Sequence, residues 1–177
     1  VAPVLAEFFA NAEAGFLGRL TGFTLADVLA AVVRAEPDWS ALPLATPEQA
    51  LILASIVEKE TGRAADRPLI AAVFINRLRQ GMRLQTDPTV IYGMGATFDG
   101  NLRKKDLLTD TPWNTYTRKG LPHTPIAMPG RNALKAAVQP TPSKALYFVA
   151  RGDGTSQFSA TLDIVLLSGE IFRLVEP

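Results

Sequence analysis

The stretch Thr46-Pro47-Glu48-Gln49-Ala50-Leu51-Ile52-Leu53-Ala54-Ser55-Ile56-Val57-Glu58-Lys59-Glu60-Thr61 decides how this chain folds. Thr46 offers a hydroxyl at an N-cap, and Pro47 fills the first helical position, where no N–H is needed. Gln49 stands three residues beyond Thr46, the spacing of a capping box. From Ala50 to Val57 every residue except Ser55 is apolar, so this helix has no face for solvent and must be buried. Glu58 and Glu60 follow at its C-terminal end, where the negative pole of the helix dipole disfavours carboxylates. Acids set against both burial and dipole are expected to have raised pKa values, which suits a proton donor. The same two residues would also serve simply to mark the helix emerging into water. At about 100° per residue, Glu58 falls beside Leu51 and Ala54, and Glu60 beside Leu53, Ile56 and Val57. Both border apolar surface, so spacing does not choose between them.

Outward from this helix the punctuation is clear. A second helix is expected from about Asp66, with Pro68 in its first turn, to Gly81. Met82 to Gln85 and Val90 to Tyr92 have the alternation and β-branching of short strands, separated by the turn-forming Thr86-Asp87-Pro88-Thr89. Residues 93–130 are rich in Gly, Pro, Thr and Asn, and a connection of that length in a compact domain is usually functional. A helix from Arg131 to Val138 follows Pro129-Gly130. Ala145 to Ala150 and Ser156 to Ser159 then read as a hairpin across Arg151-Gly152-Asp153-Gly154. Upstream, Leu5 to Leu20 and Thr24 to Ala35 are Ala/Leu-rich and helical in character, the second ending at Glu36-Pro37. The fold class expected is α+β: the buried helix beside a small mixed or antiparallel sheet, with long Gly/Pro-rich loops forming a cleft. Three regions follow: a helical upstream segment over 1–45, a central domain over 46–162, and a tail over 163–177.

Composition sets limits on function. The 177 residues are 47% apolar, and 18 Lys and Arg stand against 17 Asp and Glu, a net charge of +1. That balance gives no electrostatic case for nucleic acid. The local basic clusters Arg103-Lys104-Lys105 and Arg118-Lys119 read as solvated faces, with contact to an anionic polymer as the alternative. Without cysteine there can be no disulfide and no thiolate metal site, and the lone His123 cannot build a multi-histidine site; no metal and no cofactor are expected. No segment approaches the roughly 18 consecutive apolar residues of a spanning helix.

Several strings resemble one known family in order and spacing over residues 48–162. They are Leu53-Ala54-Ser55-Ile56-Val57-Glu58-Lys59-Glu60-Thr61, Val73-Phe74-Ile75-Asn76-Arg77-Leu78 and Gly81-Met82-Arg83-Leu84-Gln85-Thr86-Asp87-Pro88-Thr89-Val90-Ile91-Tyr92-Gly93. Further on come Asp110-Thr111-Pro112, Asn114-Thr115-Tyr116, Gly120-Leu121-Pro122, Pro125-Ile126-Ala127, Pro129-Gly130 and Leu146-Tyr147-Phe148-Val149-Ala150. The family is the YceG-like family, the MltG-type endolytic murein transglycosylases of bacteria. The resemblance implies that Glu58, the first glutamate of the Glu-Lys-Glu-Thr motif, is the catalytic acid. It implies cleavage of the β-1,4 bond between N-acetylmuramic acid and N-acetylglucosamine, leaving 1,6-anhydro ends. One group acting first as acid and then as base implies a pKa near working pH. Glu60 is the competing candidate, with Asp87 a distant third.

Sugar recognition calls for amides, hydroxyls and aromatic faces in loops, and Gln85, Thr86, Asp87, Tyr92, Asn114, Thr115 and Tyr116 offer them. For each, turn-making is the alternative; Asp87 and the Asn76-Arg77 pair read as structural, with Arg77 pairing acids near the site. The resemblance also implies peptidoglycan glycan strands as substrate and penicillin-binding glycan polymerases as partners. It implies an upstream membrane anchor and action on the periplasmic face of the inner membrane. Two stretches depart from the pattern: residues 1–45, and the tail Ile164 to Pro177, where the family carries a Glu-His-Asn motif. The competing readings are a non-catalytic glycan-binding scaffold, a lysozyme-type hydrolase, and a pyridoxal-phosphate lyase. The last needs a buried lysine and a phosphate cup, but Lys59 lies on the polar side of its helix and no Gly-rich phosphate loop is evident.

Overall fold

The computed structural model describes residues 38–151, 153 and 155–162. The helices expected over 5–20 and 24–35, and the tail from 163, lie outside the described residues.

The chain enters through a 3-10 turn, Trp39–Ala41, capped by Asp38. Helix α1, Pro47–Glu60, starts as its sequence dictates: Thr46 Oγ1 accepts from the Gln49 N–H at 3.3 Å. Gln49 Oε1 returns a bond to the N–H of Ala45 at 2.6 Å, one residue ahead of the cap. The Thr61–Asp66 connection is short and leads into α2, Arg67–Arg79, which begins beside the end of α1. Next come α3, Asp87–Met94, and α4, Lys104–Leu108, separated by a 3-10 turn over Gly95–Thr97. Helix α5, Arg131–Val138, starts directly after Pro129-Gly130. Strands β1, Tyr147–Ala150, and β2, Ser156–Ser159, form an antiparallel pair running from Tyr147 opposite Ser159 to Ala150 opposite Ser156. The Arg151 N–H donates to the Thr155 carbonyl at 2.8 Å and closes the turn of this hairpin.

The α+β class holds, but the strands expected at Met82–Gln85 and Val90–Tyr92 are not there: 82–86 forms no strand and Val90–Tyr92 lies within α3. The reason is local. Thr86 is extended at the N-cap, Asp87 sits in the first turn and Pro88 at its start, which together are helix-start chemistry. Of the β-branched pair Val90-Ile91 that suggested a strand, Val90 is buried in this helix together with Thr89. Gln85 has a φ of 51°, which no strand accommodates.

The core is built where α1, α2 and α5 meet. Ala50, Leu53, Ala54, Ile56 and Val57 of α1 are wholly buried, as the missing polar face requires. Helix α5 covers them with Ala133, Leu134, Ala136, Ala137 and Val138. The hairpin attaches to α2 through an edge-to-face contact of Phe74 and Phe148, with ring centroids 5.9 Å apart. Asn76 and Arg77 fasten that side by polar bonds. The Asn76 amide donates to the carbonyls of Ser143 (2.8 Å) and Ala145 (3.0 Å), and Arg77 to those of Leu146 (2.7 Å) and Leu84 (2.8 Å). Arg77 is thus structural, as expected, but it serves backbone carbonyls rather than pairing an acid.

Ser55, the one polar residue in the apolar run, donates to the Ile52 carbonyl at 2.7 Å and accepts from the buried Ile126 N–H at 2.9 Å. It pins the 125–127 segment against α1. Replacing Ser55 with Ala strands that N–H, a loss of about 1–3 kcal/mol. Urea unfolding of the Ser55→Ala variant should show this drop with an unchanged m-value.

Candidate active site

Glu58 occupies the last turn of α1, with 27% of its side chain exposed, just where the helix leaves the core. Its own helix dipole opposes a carboxylate there. Two donors from other elements offset this. The Gly130 N–H, at the start of α5, donates to Glu58 Oε2 at 3.0 Å. Arg67 Nη2, in the first turn of α2, lies 3.4 Å from Oε1. The positive end of α5 therefore meets the negative end of α1 at this one side chain. Oε2 is held firmly, while Oε1 has only a long contact.

Glu60 points elsewhere. It accepts a hydrogen bond from Thr86 Oγ1, across to the start of α3. Burial pushes its carboxyl up to about 7; the Thr86 bond and the charge of Arg77 oppose the shift, and the charge of Asp87 adds to it.

The loop residues fall into two groups. Thr86, Asn114 and Thr115 are buried, and apart from the Thr86 hydroxyl on Glu60 they bond among the loops and the helices that flank them. The Thr86 N–H donates to Thr115 Oγ1 at 3.1 Å, and the Gln85 N–H to the Thr115 carbonyl at 3.2 Å. The hydroxyls of Thr89 and Thr115 meet at 2.8 Å. The Asn114 amide donates to the carbonyls of Leu107 (3.0 Å) and Thr109 (2.7 Å), while its oxygen accepts from the Tyr116 N–H at 2.8 Å. Asn114 is a fixed hub for a loop with no regular structure of its own.

Gln85, Asp87, Tyr92 and Tyr116 keep accessible surface. The Tyr116 hydroxyl donates to Asp87 Oδ1 at 2.5 Å. Burial first, and then this bond, raise the phenol well above its ordinary range, so it stays a donor. Tyr92 is 43% exposed and packs its ring against Trp113 at a centroid distance of 5.5 Å. The structure thus brings residues 85–87 together with 114–116, and sets Tyr92 beside Trp113.

Both basic clusters carry an arginine paired inside its own loop: Arg103 with Asp99 at 2.6 Å, and Arg118 with Asp110 through two bonds of 2.8 and 2.7 Å. Among the described residues no group of His, Cys, Asp and Glu is arranged to hold a metal ion. No helix among them is long and apolar enough to cross a membrane.

Sequence reasoning missed Arg67 and the Gly130 N–H. A signal for Arg67 was present, since a short connection between two helices places the first turn of the second beside the last turn of the first. The Gly130 contact had no local signal: it spans 72 positions in the chain.

Fold and site together define an α+β domain that delivers a helix-borne carboxyl among hydrogen-bonding loops. The YceG-like family profile matches residues 21–165, well over half of the chain, and the chain belongs to that family. Over 112 residues it is 46% identical to the endolytic murein transglycosylase of Bacillus subtilis (strain 168), covering 63% of this chain and 31% of that protein. It is 38% identical over 109 residues to the endolytic murein transglycosylase of Streptococcus pneumoniae serotype 2, covering 59% of this chain and 20% of that protein. The crystal structure of a YceG-like protein from Listeria monocytogenes matches with a TM-score of 0.62 at 43% identity, over 68% of this chain and 38% of that one. The chain therefore spans less than a third of the length of these two curated relatives.

The Glu60 shift has a consequence for stability. Its folded pKa of about 7 lies above the ordinary 4.5, so the folded state binds the proton more tightly than the unfolded chain. The stability this contributes is complete below about pH 4.5 and is lost as pH rises to about 7. The Glu60→Gln variant should lack that slope, so the difference in unfolding free energy between parent and variant should change steadily across this window and level off above it. Denaturant titrations at several pH values read it directly.

Proposed function

We propose that this chain is the catalytic domain of a lytic transglycosylase acting on peptidoglycan, with Glu58 as its single acid and base. The observation that carries the reading is the placement of Glu58: a partly exposed carboxyl at the end of a buried helix, one oxygen fixed by a backbone N–H and the other loosely held. The names of the relatives agree with it.

On this reading Oε1, held only by the long Arg67 contact, carries the proton. Glu58 gives that proton to the glycosidic oxygen as the bond from the anomeric carbon of N-acetylmuramic acid breaks. The N-acetyl oxygen of the same sugar stabilises the positive charge at that carbon. The Glu58 carboxylate then takes the proton from the 6-hydroxyl of that sugar, whose oxygen closes onto the anomeric carbon as a 1,6-anhydro ring. Glu58 ends protonated, ready for another turnover, and no water enters. This differs from the two-carboxylate scheme of hydrolases. A two-carboxylate hydrolase would need a second free carboxylate, as nucleophile or as base for water; Glu60 is bonded to Thr86 and Asp87 to Tyr116. Gln85, Tyr92 and Tyr116 are the accessible side chains suited to the sugars, with Thr86, Asn114 and Thr115 holding the loops beneath them. The site of action is the extracytoplasmic cell wall, and glycan polymerases of the wall machinery are the expected partners.

The test is turnover of uncrosslinked glycan strands by Glu58→Gln and Glu60→Gln. Removing the only proton-transferring group should cost Glu58→Gln at least about a hundredfold in rate, with glycan binding retained. The loss in Glu60→Gln should be far smaller. Equal losses would contradict the assignment.

A further inference from the structure

Glu60 is the carboxyl that the proposed chemistry leaves unused. It stands two residues beyond Glu58, partly buried, and takes a hydrogen bond from Thr86 Oγ1. Thr86 lies between two residues of the candidate sugar-binding surface. On one side is Gln85, the one non-glycine residue with positive φ, at 51°, among the described residues. On the other is Asp87, which accepts from Tyr116. A glutamine in the left-handed region persists only when its surroundings hold it there, and such strain gathers at functional sites. Two bonds to Thr115 hold this loop on one side, from the N–H groups of Gln85 and Thr86. The Glu60 bond ties it on the other side to α1.

We propose that Glu60 is a positioning residue: through Thr86 it fixes the left-handed turn at Gln85, and with it the Asp87–Tyr116 pair, in register with the helix end that presents Glu58. The role rests on the acid/base reading of Glu58. Glu60 acts through Thr86 and touches no reacting atom.

The surroundings of Glu60 act on its proton in opposite senses. Thr86 donates to the carboxyl in either state, since a neutral acid still accepts through its carbonyl oxygen. Ionisation, however, is opposed by desolvation and then by the charge of Asp87, with Arg77 only partly offsetting it because that guanidinium is committed to the carbonyls of Leu146 and Leu84. The Tyr116 phenol, held neutral, also faces this charge. Desolvation and Asp87 thus favour the protonated carboxyl, while the Thr86 bond favours the charged one, and the tie to the loop persists in both states.

Three variants of the full chain test this, with circular dichroism confirming the fold of each. Thr86→Val removes the donor at nearly constant volume and should lower kcat/KM by about tenfold or more, the scale of loss from a small misplacement. Thr86→Ser keeps the hydroxyl and should recover most of that loss. Glu60→Gln keeps an acceptor for Thr86 and should lose far less than Thr86→Val. Parent-like turnover in Thr86→Val overturns the proposal. So does a Glu60→Gln variant as inert as Glu58→Gln, which would place Glu60 in the chemistry itself. Amide hydrogen exchange at Gln85 and Thr86 gives a readout independent of cleavage. It should quicken in Thr86→Val and return to the parent rate in Thr86→Ser. That pattern in a chain that cleaves no glycan would support the grip and sink only the Glu58 reading; unchanged exchange in Thr86→Val overturns the grip itself.

Discussion

A helix without a polar face has to be enclosed along its length, and the enclosure of α1 sets the position of nearly everything else. Helices α2 and α5 pack on it, and the 125–127 segment is pinned to it by Ser55. Burying a helix this far leaves its ends as the main places where its polar side chains can meet water. Its C-terminal turn is where two acids appear, against the dipole of their own helix. What makes Glu58 tolerable there is that α5 begins at the same point and offers the Gly130 N–H. The packing that forms the core thus also fixes the carboxyl.

The two glutamates show how environment separates like side chains. Glu58 reaches a partly open surface and is met by donors from α2 and α5. Glu60, two positions on, turns inward to the start of α3, where desolvation dominates and its pKa climbs to about 7. A perturbed carboxyl is often taken as the mark of a catalytic one. In this molecule the perturbed group is better placed to hold a loop than to reach a sugar, and geometry has to be weighed before titration.

Much of this was legible from the chain alone. The Thr46-Pro47 cap, the apolar run and the Pro129-Gly130 start of α5 are strong local signals, and α1, α2 and α5 begin and end close to where those signals put them. The hairpin over 147–159 is equally local. Val90–Tyr92 misled because β-branched residues mark buried surface as much as strand, and the helix-start chemistry of Thr86-Asp87-Pro88 outweighs them. The split of the loop residues into buried hubs and accessible side chains was not legible. Asn114 has the residue type of a sugar ligand, and only the carbonyls of Leu107 and Thr109 around it reveal a structural amide. The Gly130 and Thr86 contacts with the two glutamates depend on how distant segments close, which no local pattern encodes.

The central claim is that one carboxyl suffices because the substrate supplies its own nucleophile. Cleaving glycan strands in heavy-oxygen water and weighing the new ends tests it most directly. The account predicts ends lighter than a reducing sugar by one water, carrying no heavy oxygen. Reducing ends of full mass with one heavy oxygen incorporated would contradict it, because a water would then have been activated at this site.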